Sequence, residues 1–214
     1  MKKLILIAAL SLFIMNNSQA QGVTFAPEIG INLSSQTLKM NGTTLGETIM
    51  KPGFKIGGVA NIPVASEFYI QPGIFFTTKG GEQEVSILGL TTNTTTHVNY
   101  IEIPINALYR FSFDHAGALF ISAGPYAGYA VNGETRTVAP FIGKVKSDID
   151  FGNNQNDEMK RFDFGLNAGI GYETPWGIYV RGQYGFGLIN ISPEEETNLK
   201  NQNIQISLGY NIGR

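Results

Sequence analysis

Over most of its length the chain alternates apolar and polar residues with a period of two, and one of the two resulting faces is free of charge except at its ends. Near the C-terminus Ile204, Ile206, Leu208, Tyr210 and Ile212 alternate with Gln205, Ser207, Gly209, Asn211 and Gly213. Phe162, Phe164, Leu166, Ala168, Ile170 and Tyr172 alternate with Arg161, Asp163, Gly165, Asn167, Gly169, Gly171 and Glu173. The same rhythm runs through 178–188 and 100–111, and more weakly through 23–33, 54–62, 67–78 and 118–131. Side chains of a strand point alternately to its two sides, so period two predicts strands, here eight of them.

The connections alternate as well. Segments 34–53, 79–97, 132–158 and 189–202 are long and polar, whereas 63–66, 112–117 and 174–177 are short. An even number of strands joined by long loops at one end and tight turns at the other predicts an eight-stranded antiparallel up-and-down transmembrane β-barrel. The competing architecture is a soluble ligand-carrying barrel, which keeps its apolar face inside.

Charge and aromatic placement decide between the two. The polar faces carry Glu28, Glu102, Asp163 and Glu173 against Lys55, Arg110, Arg161 and Arg181, four of each sign on positions shared with many glycines. A charge facing lipid near the bilayer midplane costs about 2–4 kcal/mol, so its exclusion from one face is what hydrocarbon imposes. Matched opposite charges on the other face predict a narrow lumen filled by internal ion pairs. The apolar face bears Phe54, Phe76, Tyr129, Phe162 and Phe186 toward the long-loop end. Toward the short-turn end it bears Phe25, Phe68, Tyr109, Phe111, Tyr172 and Tyr210, with Trp176 in a turn. Two aromatic girdles separated by aliphatic residues suit the two interfaces of a bilayer. The polarity is therefore read as inverted, with lipid outside.

Residues 1–20 have the layout of a secretory signal peptide: Lys2 and Lys3, an apolar run from Leu4 to Met15, and the small residues Ser18 and Ala20 before a cleavage point. The run is too short to span a bilayer as a helix. Residues 21–214 are then one barrel domain, exported to the outer membrane. Only 15% of residues are charged and the formal net charge is −2, so no basic surplus exists for nucleic acid. With no cysteine there is neither a disulfide framework nor a thiolate metal site. Pro27, Pro72, Pro104 and Pro125 interrupt the strand patterns. Each lacks a ladder donor and is expected at a bulge or where pairing lapses.

Catalytic groupings are not apparent. His97 and His115 fall at opposite ends of the predicted barrel and cannot share a metal. No nucleophile has a base at a strand spacing that would bring the two together, so neither catalytic residues, metal ligands nor cofactors are assigned. Eight strands enclose only enough room for side chains, and Tyr69, Tyr100, Tyr126 and Tyr179 with the eight charges should fill it. A structural or surface-interaction role through the long loops follows. The 132–158 segment is the best candidate, because Val138, Phe141, Val145, Ile149 and Phe151 could order it as a strand extension or contact site. The partners anticipated are outer-membrane lipid, the barrel assembly machinery and a surface protein.

Several segments resemble the PorT-like group of small outer-membrane β-barrel proteins of Bacteroidota. They are Lys51-Pro52-Gly53-Phe54-Lys55-Ile56-Gly57, Tyr100-Ile101-Glu102-Ile103-Pro104-Ile105 and Gly124-Pro125-Tyr126-Ala127-Gly128-Tyr129, followed by Phe162-Asp163-Phe164-Gly165, Gly169-Ile170-Gly171-Tyr172-Glu173 and Ser207-Leu208-Gly209-Tyr210. The resemblance spans the chain after its leader and implies a barrel of the OmpA/OmpX type. It also implies an alternative role, as a component of a protein secretion apparatus. A lipid-modifying barrel enzyme is the remaining, weaker alternative.

Overall fold

The computed structural model describes residues 22–40, 43–87, 90–140, 143–153, 157–194 and 197–213. The expected signal segment lies outside them. Ten strands follow in chain order: β1 (Thr24–Met40), β2 (Thr43–Glu47), β3 (Lys51–Ala65), β4 (Phe68–Ile87), β5 (Leu90–Phe113), β6 (Gly117–Ala139), β7 (Gly143–Asp148), β8 (Phe162–Glu173), β9 (Ile178–Gly187) and β10 (Thr197–Tyr210).

Eight of them form a closed antiparallel ring in the order β1-β3-β4-β5-β6-β8-β9-β10, sealed by pairing of β10 with β1. The remaining two, β2 and β7, fold back on β1 and β6 outside the ring. Closure satisfies the ladder groups that an open edge would expose, which is the condition for strands to stand in hydrocarbon.

Side-chain burial follows the period-two pattern. In β8 Phe162, Phe164, Leu166 and Ile170 are exposed on the outer wall while Asp163, Gly165, Asn167 and Glu173 are buried. Ile101, Ile103 and Ile105 of β5 likewise face outward and Glu102, Pro104 and Asn106 inward. The large exposed side chains of the ring are almost wholly Ile, Val, Leu, Phe and Tyr, and the buried set holds Glu28, Lys55, Lys79, Glu102, Asp163, Glu173 and Arg181. A soluble barrel has the opposite polarity.

Glycines on the inward faces make room for rings on neighbouring strands. Phe120 pairs with Gly171 and Tyr179 with Gly209, and a Cβ at either glycine would meet the partner's ring at 2.2 Å. At the short turns Gly117 and Gly177 adopt φ of 83° and 85°, the left-handed region that a side chain resists.

Each of the four prolines sits beside a lapse in pairing. The β4–β5 ladder stops after Pro72↔Ile105 and resumes at Phe75↔Glu102, a gap that takes in Pro104. The β5–β6 ladder is interrupted beside Pro125, and the β1–β10 ladder lapses at Pro27 before the Phe25↔Ile212 bridge. Register is the same on both sides of every lapse. A missing N–H here removes bonds locally without inserting a residue.

The strands at the long-loop end run further than hydropathy predicts. Segments 34–53, 79–97 and 132–158 are largely strand: β1 reaches Met40, β4 reaches Ile87, β5 begins at Leu90 and β6 reaches Ala139. The 189–202 segment is strand from Thr197.

Candidate functional site

The lumen contains three linked charge clusters. Glu28 lies 3.0 Å from Lys55 Nζ and 3.7 Å from Arg181 Nη1, and accepts a 2.9 Å hydrogen bond from the Tyr179 hydroxyl. Toward the long loops Lys79 is shared between Glu102 at 2.6 Å and Asp163 at 3.1 Å. Asp163 also accepts from Tyr126 at 3.3 Å and Asn201 at 3.0 Å. At the short-turn end Arg110 pairs with Glu173, which accepts from Asn211 at 2.7 Å. Aromatic faces line the cations: Lys55 Nζ stands 3.9 Å from the Phe75 ring centroid and Lys79 Nζ 4.1 Å from that of Tyr126. Buried ions gain from such company because water no longer screens them.

Seven of the eight charges assigned to the lumen from the sequence meet there. Arg161 does not join them. It stands at the long-loop mouth, donates to the Ala130 carbonyl at 3.4 Å and lies over the Phe151 ring at 5.3 Å. Its place is taken by Lys79, assigned from the sequence to a loop and in fact 1% exposed on β4. Among the described residues the lumen holds four ions of each sign, with Lys79 as the fourth cation.

An apolar plug closes the long-loop mouth. Ile149 and Met159 from the β7–β8 connection and Ile191 from the β9–β10 connection pack on Val98, Tyr100 and Ala130, with Phe151, Ile189 and Leu199 against them. Backbone bonds hold the connections in place: Ile149 N to Gly133 O at 3.0 Å, Lys160 N to Ile191 O at 2.8 Å and Ile191 N to Leu199 O at 2.9 Å. Two of the five hydrophobic residues expected to order segment 132–158 thus point into the barrel. Val138 and Val145 remain on its surface, and Phe141 lies outside the described residues.

The aromatic girdle residues take the outer wall. Phe54 stacks on Phe76 at 5.6 Å, and Tyr129 meets Phe162 edge-on at 5.2 Å. Phe186 and, at the other end, Phe25, Tyr109, Phe111, Tyr172 and Tyr210 are exposed, Trp176 most of all, and Phe68 is half-buried.

Beyond the row Phe76↔Ile101↔Tyr129 the wall of β4, β5 and β6 continues, first around the lumen and plug through Lys79, Val98, Tyr100 and Ala130 and then, with β7, as a sheet projecting from the mouth. The β4–β5 ladder continues unbroken from Thr77↔Tyr100 to Ile87↔Leu90. At roughly 3.3 Å per residue that is about 35 Å of ribbon. The β6–β7 hairpin lies alongside, every residue of β7 is exposed, and among the described residues β7 pairs with β6 alone. The sheet's outer side carries Glu134, which pairs with Arg136 at 2.5 Å and with Lys146. Opposite Glu134 on β5 is His97. Burial and the Arg136 guanidinium hold its imidazole below the ordinary value of 6.5. His115 sits in a short turn at the other end, with φ of 63°. Among the described residues no cluster of three or more His, Asp or Glu is arranged to hold a metal.

The family model described as outer membrane protein beta-barrel domain matches residues 17–192. No curated protein matches the chain. Among solved structures it is similar to Ail, the attachment invasion locus protein of Yersinia pestis, at 10% identity over 88% of this chain and 99% of that one, with a TM-score of 0.45. It is similar to Neisserial surface protein A at 12% identity over 89% and 99%, TM-score 0.46. It is similar also to OprG from Pseudomonas aeruginosa at 12% identity over 90% and 97%, TM-score 0.44.

Proposed function

Because the chain belongs to the outer membrane protein beta-barrel domain family, we propose that it is a non-enzymatic surface-interaction barrel whose working part is the projecting β4–β7 sheet. Its place is the outer membrane. Among the described residues the membrane part offers no through route for a solute, since paired ions cross the middle of the lumen and the apolar plug stoppers its long-loop end. The single observation that carries the reading is the ribbon itself. A ladder that continues about 35 Å from the girdle row, its first pairs around the plug and the rest beyond it, makes these strands far longer than a barrel needs to cross a bilayer, for which 9–11 residues per strand suffice. Strands β8 and β9, of 12 and 10 residues, stop at about that length.

The exposed edge of β7 and the exposed Val138 and Val145 offer backbone and apolar contacts to a surface protein. Lys144 and Lys146 on that edge discourage pairing between copies of the chain. The test is a photocrosslinking residue at Val145 in intact cells, with one at lipid-facing Ile105 as control. A protein adduct from position 145 alone supports the reading. Adducts from neither position, together with unchanged surface binding after removal of residues 137–146, overturn it. The resemblance to the PorT-like group supports an alternative reading, a component of a protein secretion apparatus, and co-purification of secretion proteins with the barrel tests it.

A further inference from the structure

We propose that the short-turn end of the lumen is a binding pocket for a small ring-bearing carboxylate that also carries a hydroxyl group. Below the Glu28 cluster the barrel opens into a cavity of about 340 Å³ lined by Asn61, Tyr69, Gln71, Arg110, Glu173 and Arg181, among others. Its volume is at the lower end of the range that holds small molecules, about 300–1,000 Å³. The apolar plug shuts the opposite mouth, so a ligand enters from the short-turn side.

Unmatched donors select an acceptor. Two guanidiniums line the cavity, Arg110 paired with Glu173 and Arg181 standing 3.7 Å from Glu28, so their charges are balanced and their remaining N–H groups set the preference. Glu173 is already engaged by Arg110 and Asn211. The Nε–H groups of Arg110 and Arg181 are buried and have no partner among the described residues. A buried donor without an acceptor is costly, and a guanidinium edge matches a carboxylate.

The remaining walls select the body of the ligand. Arg110 lies over the Tyr69 ring at 5.5 Å, Arg181 lies over Phe120 at 5.3 Å, and Phe120 meets Tyr179 edge-on at 5.8 Å. With Leu108 these rings give the cavity an aromatic and aliphatic wall, which suits a ligand ring. Gln71 is 2% exposed and donates from Nε2 to Asn61 at 2.6 Å, while its Oε1 has no donor among the described residues. A hydroxyl on the ligand ring supplies one.

The test is ligand-observed NMR on the folded full barrel in lipid nanodiscs, with 4-hydroxybenzoate as the probe. Saturable line broadening is expected. 4-Hydroxybenzyl alcohol, which lacks the carboxylate, should bind about tenfold more weakly, and so should the probe to Arg110→Gln, a charge-assisted bond having been lost. Leu108→Trp fills the cavity from its apolar wall, touches no ion pair and should abolish binding. Heat-dependent gel mobility checks that each variant has folded. If Arg110→Gln fails to fold, Leu108→Trp decides. Broadening that does not saturate, that is equal for the alcohol, that is undiminished in folded Arg110→Gln or that survives in folded Leu108→Trp overturns the proposal and leaves a water-filled vestibule.

Discussion

Lys79 Nζ stands 3.1 Å from Asp163 Oδ2, an ion pair that ties β4 to β8 across the lumen with two strands of the wall between them. The same ammonium lies 2.6 Å from Glu102, so one cation neutralises two buried acids. Lys79→Met leaves both carboxylates without their counter-ion, and about 3–5 kcal/mol of stability should be lost. Urea unfolding in lipid vesicles measures it. Adding Glu102→Gln and Asp163→Asn to the same chain should restore part of the loss, since no unpaired charge then remains buried.

The outer wall makes a second prediction. Ile105 lies midway between the girdles and is half exposed on the lipid face. Ile105→Arg should cost about 2–4 kcal/mol. Val145 is as exposed but sits on the projecting hairpin, so Val145→Arg should change stability by less than about 0.5 kcal/mol. Equal costs at the two positions would contradict the placement of the bilayer around the ring.

Sidedness follows from the same hairpin. The natural chain has no cysteine, so Val145→Cys introduces one thiol. A membrane-impermeant maleimide should label it in intact cells, whereas a cysteine at His115 in the short turn should be labelled only after the outer membrane is permeabilised.

His97, outside the girdle on the ribbon, gives a pH dependence. Burial first, and the Arg136 guanidinium second, lower its affinity for a proton, while Glu134 acts in the other direction. The unfolded chain binds that proton near pH 6.5 and the folded chain only at lower pH. Stability therefore declines as pH falls through 6.5 toward the folded midpoint, and levels off below it. An NMR titration of the imidazole should show a midpoint under 6.5. Arg136→Ala should raise that midpoint and Glu134→Gln lower it.

Hydropathy carried the barrel because lipid touches one side of each strand and the lumen the other. Ile101, Ile103 and Ile105 against Glu102, Pro104 and Asn106 is a contrast that only such a wall produces. Above the girdle both sides are polar, the contrast vanishes, and strand looks like loop. Thr91 to Thr96 pair with Gly81 through Ser86, and Asn93 to Thr96 also with β6, yet nothing in their hydropathy marks them. Lys79 escaped notice for the same reason: Thr77, Thr78, Gly80 and Gly81 surround it with no alternation to assign its side. Arg161 failed differently. It begins the run that leads into β8, where parity points it inward, but the plug occupies that level and turns it toward Phe151. The ribbon, the plug and the short-turn cavity depend on contacts between distant segments, and no local pattern encodes them.

The seam between β1 and β10 joins the first strand of the ring to its last over thirteen residue pairs, from Glu28↔Gly209 to Met40↔Thr197. A polypeptide halted before Thr197 would lack the β9–β10 ladder as well and present two bare margins, those of β9 and β1, to an oily solvent that cannot hydrate them. Partial products are therefore poor intermediates for insertion. Whatever chaperones this chain must shield both margins until the final segment arrives, and the commitment to the membrane comes in one late step.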